Sequence, residues 1–467
     1  MISTTDILLK GVNFRGKAVS EELPLSGYNI SPRFLDGDSF IDFSSTTASQ
    51  PSSLELDFFA SIYHKYSSPD KIQKHLLSAK KKLSQILHIS SNDFVFTPSG
   101  TDCDAIISII AEKFNKHTHI INICPEETGR LTKRFQLLDI DNEDISVDGL
   151  PSFENSILKR FSRNQDNFTF HDLNFRRNNE DLNYKYLLDE LNNLLETIPR
   201  NQIILLRAIF CSKTGLCFPS IKDLKIIKDR MSTNFHIVMD CCQSRITKNE
   251  FNDLREISSA MFFSFSKFLQ TPSFAGISVF NNLIAELWKE MIRSPEKNNE
   301  MFPFVIDPDI YKYLSEIGAI NSKLNASYGS ILARCELGLK RLKDFWSLDE
   351  SILQDRLSEF NLSVENQLGE IVKPIDIDFQ SSISNSIRLL DFSFISISGK
   401  ELYEILSRFY FKKRVILGQP VNLNGNSKNL RLSAGYRIIC DPHYSKDLIE
   451  ENINHVKKTF DSIFRII

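Results

Sequence analysis

Four groups of residues have types and spacings that could do chemistry. Ser99, Gly100 and Thr101 stand where the apolar run Phe94-Val95-Phe96 leads into a helical stretch from Cys103 to Phe114. Free N–H groups at a helix start, at the positive end of its dipole, bind anions. Gly100 lets backbone come close and Thr101 adds a hydroxyl, while Asp102 and Asp104 must point away from such an anion. Asp240 closes the run His236 to Met239, and Gln243 follows three residues later. A carboxylate outside the carboxyl end of a strand can pair with a cationic ring nitrogen, and the Gln amide can donate to a neighbouring oxygen. Lys267 ends Ser264-Phe265-Ser266-Lys267, directly after Met261-Phe262-Phe263. Desolvation and nearby cations lower a lysine pKa and make the amine a nucleophile for Schiff-base formation. Ser264 and Ser266 offer hydroxyls to a phosphate. Arg431 lies inside the apolar Leu430–Leu432 and can clamp a carboxylate through two parallel N–H bonds. Taken singly, each has a plainer reading: a helix cap, a capping Asp, a snorkelling lysine, an edge-strand arginine.

These residues need a scaffold that presents strand ends together. Short apolar runs at 94–96, 120–123, 203–209, 236–239, 261–263 and 276–279 read as strands. Arg207 is the only interruption of the third run. Between them, residues 69–88, 184–195 and 221–231 carry helical periodicity. Strands separated by helices imply an α/β fold with a mostly parallel, helix-covered sheet. From about 310 the pattern changes to a helical region (310–347), strands at 375–378, 392–395 and 415–417, and helices at 399–410 and 444–464. The expected division is an N-terminal segment (1–50) packing on the small domain, a large domain (51–305) and a small C-terminal α+β domain (306–467). No internal repeat appears.

In their order along the chain, the four groups resemble the fold type I pyridoxal-phosphate enzymes of the aspartate aminotransferase superfamily. Within it they look closest to class V, the branch of cysteine desulfurases and kynureninase-like enzymes. The resemblance extends over residues 40–465 and includes Phe40-Ile41-Asp42-Phe43 with Thr46-Thr47. It implies a seven-stranded-type sheet in the major domain and pyridoxal 5'-phosphate as cofactor. Lys267 would carry the Schiff base and move protons, and Asp240 would hold the ring nitrogen protonated. Gln243 would bond the phenolic oxygen. Gly100, Thr101, Ser264 and Ser266 would hold the phosphate, and Arg431 the substrate α-carboxylate. Ser212-Lys213-Thr214-Gly215 stands where the branch often has Asn-Glu-Thr-Gly, so Ser212 would replace an Asn near the phenolic oxygen.

The chain also departs from that branch. Where the branch stacks a His or aromatic ring on the cofactor, residues 125–130 hold no ring. Glu127 or Thr128 would cover the cofactor, with Glu127 a candidate acid or base, or else this is a surface loop. Residues 412–430 contain no cysteine, which argues against persulfide-type desulfurase chemistry. Arg245 would reach a second acidic group on the substrate or lie on the surface. The expected activity is that of an aminotransferase acting on an amino acid. The alternatives are a lyase (β- or γ-elimination, C–S or related cleavage), a cyclase of a modified amino acid, and a non-catalytic binding protein on the same scaffold. A homodimer with sites near the subunit interface is expected from the resemblance.

Composition removes other classes. The net charge of −3, with 56 basic against 59 acidic residues, gives no field for nucleic acid or an anionic membrane. Lys80-Lys81-Lys82 reads as a solvated helix face. The 8 cysteines form no CxxC pair, as in a reducing compartment and without a metal site. No run approaches a membrane span and no secretion signal opens the chain, so a cytoplasmic location is expected. No G-x-G-x-x-G or G-x-x-x-x-G-K-[ST] occurs, which sets aside a nucleotide-binding Rossmann domain. Glycine is scarce, 17 in 467 residues, about half the usual share. The survivors Gly100, Gly129, Gly215, Gly276 and Gly435 all fall beside the groups above.

Overall fold

The structure, a computed structural model, describes residues 41–45, 53–66, 68–129, 131–140, 167–177, 180–297, 299–373, 377–392, 394, 397–398, 401–402, 405, 415–423 and 426–464. Phe40, Thr46, Thr47, Arg130, most of the expected N-terminal segment and most of the expected helix 399–410 lie outside these residues.

Two sheets organise the chain. Strand β1 (Ile41–Phe43) belongs to the smaller one. The larger is built from β2 (Phe94–Thr97), β3 (Thr118–Ile123), β4 (Phe168–Leu173), β5 (Ile203–Ile209), β6 (Phe235–Cys241), β7 (Ala260–Ser264) and β8 (Gly276–Phe280). Its seven strands run in the order β2-β8-β7-β6-β5-β3-β4. Neighbours from β7 across to β4 are parallel, and β8 is antiparallel to both β7 and β2. Strands β5, β7 and β8 are buried along their whole length, as continuous apolar runs between two helical layers require. In the register, Gly276 of β8 faces Thr97 on one side and Ser264 on the other. The carboxyl ends of β2, β3, β5, β6 and β7 therefore share one edge of the sheet.

The smaller sheet adds β9 (Val372–Lys373), β10 (Ile387–Asp391), β11 (Val415–Leu423) and β12 (Asn426–Ser433), in the order β1-β11-β12-β10-β9. Ile41, Asp42 and Phe43 pair in parallel with Val415, Ile416 and Leu417.

The helices follow their apolar spacing. Besides α1 (Ser53–Ile62), α2 (Pro69–Leu87) buries Ile72, Leu76, Ala79, Leu83 and Leu87 on one face. It also buries Lys80, whose Nζ is 2.6 Å from Asp307. The solvated-face reading thus holds for Lys81 and Lys82 and fails for Lys80, because Asp307 supplies a buried counter-charge. Helix α3 (Gly100–Glu112) is buried over most of its length. Helix α4 (Tyr184–Thr197) is capped by the Asn183 side chain and ends before Pro199. Helices α5 (Ile221–Arg230) and α6 (Lys248–Ile257) follow, the latter opened by a capping box of Thr247 and Glu250. Then come α7 (Asn282–Arg293), α8 (Pro308–Glu316), α9 (Ser322–Trp346), α10 (Glu350–Leu368) and α11 (Lys446–Phe464).

Helix α9 matters most for the site. A Cβ on its Gly338 would lie 2.3 Å from the Phe265 ring, so only glycine lets α9 seat against the segment between Ser264 and Lys267. Arg341, one turn on, donates to the Leu269 and Gln270 carbonyls at 2.9 and 2.6 Å. The expected strand at 375–378 is not found: Ile377–Phe379 is a 3₁₀ turn, and 374–376 lie outside the described residues. A strand is found at Ile387–Asp391, which places Leu389 opposite Arg431, while residues 393 and 395 of the strand expected at 392–395 lie outside the described residues. Among the described residues, no helix is long and apolar enough to cross a membrane.

Candidate active site

The turn from β2 into α3 carries the first group. Ser99 is extended and caps no helical N–H with its side chain; its hydroxyl donates to Asp102 at 2.5 Å. The first turn of α3 therefore keeps backbone donors that a conventional cap would occupy. Gly100 is fixed by its neighbours: a Cβ there would lie 2.3 Å from Cys242 Sγ and 3.7 Å from Ser264 Cβ. That contact joins this turn to the segments after β6 and β7. Ser264 and Ser266 are both buried, with hydroxyls 2.9 Å apart. Gly129 brings the 125–129 loop over the same turn, since a Cβ on it would touch Thr101 Oγ1 at 3.4 Å.

The loop holding Lys267 is tied to the Asp-x-x-Gln segment: Phe268 N–H donates to the Gln243 carbonyl at 3.1 Å, and the Ser244 hydroxyl donates to the Ser264 carbonyl at 2.9 Å. Lys267 itself is half-buried. The Gln243 side-chain oxygen accepts from Arg245 Nη1 at 3.1 Å, which leaves its amide NH2 as the group available to another acceptor.

Asp240 is held on both oxygens. Oδ1 accepts from the Cys242 N–H at 2.9 Å and Oδ2 from Arg207 Nη2 at 2.7 Å. Arg207 also grips Asp104, Nε to Oδ1 at 2.6 Å and Nη2 to Oδ2 at 3.1 Å. The arginine that interrupts an apolar strand is thus the buried cation between two carboxylates, a role its sequence position did not reveal. Burial pushes the Asp104 carboxyl up to about 6, against the opposing pull of Arg207. Arg207 is shifted upward, because its two carboxylates outweigh the burial that opposes its charge. Its Nη1 is buried with no hydrogen-bond partner.

The loops after β3 and β5 form a second buried cluster. Glu127 accepts from Ser212 Oγ at 2.6 Å, from Thr214 Oγ1 at 2.7 Å and from Arg176 Nη1. Burial opposes its charge, but Arg176 and Lys213 outweigh it and hold the carboxyl at about 2. Glu127 is therefore an ionised anchor at neutral pH, and the surface-loop reading fails for this residue because its side chain is buried. The single hydroxyl hydrogen of Ser212 goes to Glu127, so the residue ties two loops together and has no hydrogen left for a ring oxygen. Thr128 is half-buried and donates to the Pro125 carbonyl at 2.7 Å. A cavity of about 300 Å³ opens here, lined by Thr128, Gly129, Lys133, Arg207 and Lys213.

Arg431 lies on β12 between Leu389 of β10 and Gly418 of β11, and is buried. Arg245 is buried as well, so its surface reading also fails. The eight cysteines form no disulfide.

No protein-family model matches the chain, and no curated protein matches it in sequence. Solved structures do match its fold. A cysteine desulfurase from Escherichia coli superposes with a TM-score of 0.55 at 12% identity, over 92% of this chain and 96% of that one. A phosphoserine aminotransferase from Cytophaga hutchinsonii gives 0.55 at 14%, over 90% and 98%. A cysteine desulfurase from Thermococcus onnurineus gives 0.52 at 11%, over 91% and 97%. The chain has the fold of these enzymes, the fold type I pyridoxal-phosphate transferase fold, along nearly its whole described length.

Proposed function

We propose that the chain is a pyridoxal-phosphate-dependent enzyme that acts on an amino acid, by transamination. One observation carries the reading. Gly100, Asp240, Gln243, Ser264, Ser266 and Lys267, spread over 168 positions of sequence (100 to 267), gather at one edge of a sheet with that fold. The residues suit the cofactor. Its phosphate fits the uncapped start of α3, where Gly100 has no room for a side chain and Thr101, Ser264 and Ser266 bring hydroxyls. Asp240 suits the ring nitrogen, and the free amide of Gln243 suits the ring oxygen.

When bound, the cofactor draws electrons from the bonds at the substrate α-carbon. The protein's own groups do the rest. Lys267 takes and returns the proton at that carbon. Asp240 favours a charged ring nitrogen, and Arg207 fixes the orientation of that carboxylate. Arg431 holds the α-carboxylate through its two-pronged guanidinium. Glu127, with Ser212 and Thr214, sets the wall formed by residues 125–129. A homodimer is part of the same proposal, on the resemblance alone.

Protein purified with pyridoxal phosphate is expected to show a visible absorption band that borohydride removes. Lys267→Ala is expected to abolish it, and a variant that keeps the same band would refute the role of that lysine. With a panel of amino acids, release of the matching keto acid supports transamination. Pyruvate together with ammonia or sulfide would point to elimination instead.

A further inference from the structure

Arg245 is a buried cation whose hydrogen-bond partners are all neutral. It is 1% exposed, and its guanidinium donates from Nε to Ser386 Oγ at 2.8 Å, from Nη1 to the Gln243 side-chain oxygen at 3.1 Å, and from Nη2 to Ser45 Oγ at 2.6 Å. Among the described residues, no carboxylate lies in ion-pair range of it. Arg207 and Arg341, buried to a similar degree, each hold one: Asp104 and Asp240 for the first, Glu55 for the second. A buried charge without a counter-ion is costly, and buried charges are as a rule paired.

The position says which anion. Arg245 stands two residues beyond Gln243 and lies 5.4 Å over the ring of Phe268, the residue after Lys267. Ser386 comes from the start of β10 and accepts the Ala434 N–H on its carbonyl, three residues beyond Arg431. The charge of Arg431 is felt at both Arg245 and Lys213. Arg245 therefore sits where the lysine loop, the small sheet and the segment at Ser45 meet, on the side of the arginine assigned to the α-carboxylate. A guanidinium has five N–H hydrogens, and three are spent on the serines and the glutamine. One hydrogen on each terminal nitrogen remains, the arrangement that receives an oxyanion.

We infer that Arg245 is the subsite for a second anionic group, so that the amino acid taken by this enzyme carries a carboxylate, sulfonate or phosphate on its side chain. This rests on the reading of the site given above.

The test uses the purified protein loaded with pyridoxal phosphate. Its absorption is titrated with aspartate, glutamate, cysteate and phosphoserine, and in parallel with asparagine, glutamine and serine. At least one anionic member is expected to bind more tightly than its neutral counterpart, on the order of 10–100-fold, as a hydrogen-bonded charge pair implies. The member preferred identifies the anion. Arg245→Gln is expected to collapse that ratio towards one, and Arg245→Lys to retain part of it. Neutral amino acids that bind as well as anionic ones would overturn the inference while leaving the enzyme reading in place. So would an Arg245→Gln ratio equal to that of the parent. If Arg245→Gln does not fold, the ratio in the parent protein alone decides. Absence of the absorption band in the parent would instead sink the enzyme reading, and the inference with it.

Discussion

Replacing Arg207 by Met should destabilise the protein in a pH-dependent way. The side chain is 3% exposed and makes three contacts of 2.6 to 3.1 Å with Asp104 and Asp240. Removing one partner of a buried ion pair costs about 3–5 kcal/mol, because the charge left behind stays out of water. Here the remainder is two carboxylates without the cation between them. The sign of the pH effect follows from Asp104. Its carboxyl titrates near 3.8 ordinarily and at about 6 in the fold. Between those values the folded chain binds more protons than the unfolded one, so stability falls as pH rises and then levels off above about 6. Without Arg207, two of the three influences that lower this pKa disappear, the Gln136 hydrogen bond alone staying, and it moves above 6. The variant should then keep losing stability between pH 6 and 8, at up to about 1.4 kcal/mol per unit, where the parent does not. Denaturant unfolding of both proteins at pH 6 and 8 measures this. The gap between parent and variant should widen by up to about 2.7 kcal/mol across that interval. A gap that is the same at both pH values would refute the claim that Arg207 keeps Asp104 ionised.

Gly100→Ala should weaken cofactor retention, because its methyl would sit 2.3 Å from Cys242 Sγ; Cys242→Gly in the same chain should restore it, and equilibrium dialysis of the bound cofactor reads both. Glu127, at about 2 against an ordinary 4.5, contributes stability that is fully present above about pH 4.5 and lost as pH falls towards 2. That contribution is on the order of 3 kcal/mol, and Glu127→Gln should flatten the acid limb of the unfolding profile. Arg176→Met, which strands the same carboxylate in the interior, should cost about 3–5 kcal/mol by denaturant midpoint, more than Glu127→Gln does.

The large sheet was legible because it obeys local rules. Runs such as Ile203–Ile209 and Ala260–Ser264 are apolar throughout, and only a strand covered on both faces explains that. The smaller sheet was less legible because its strands carry more polar residues and do not follow one another along the chain. Parallel pairing of Ile41–Phe43 with Val415–Leu417 joins residues 374 positions apart (41 and 415), and no local pattern announces such a partner. Ile377–Phe379 alternates in sequence like its neighbours, yet it forms a 3₁₀ turn with Phe379 packed on Phe175, Tyr184 and Phe218. An aromatic cluster of Phe175, Tyr184 and Phe218 decides its conformation, and tertiary packing of that kind leaves no trace in periodicity.

At the site, the residues that sequence could nominate are those whose chemistry depends on their own type: a lysine after a buried strand, an aspartate at a strand end, a glycine before a helix. The residues it missed act through a partner. Arg207 read as an interruption because its value lies in Asp104, 103 positions earlier, and Asp240, 33 positions later. Glu127 read as a possible acid or base because nothing local discloses Arg176, Ser212 and Thr214 around it. Yet for Arg207 a signal was present. A single arginine in seven otherwise apolar residues cannot be buried without an anion, so Arg207 demanded a carboxylate somewhere. The same reasoning, turned on Arg245, finds no such anion within the described protein. What distinguishes the two arginines among the described residues is therefore not burial but the source of the counter-charge, which for Arg207 is the fold and for Arg245, on the inference above, is the bound substrate.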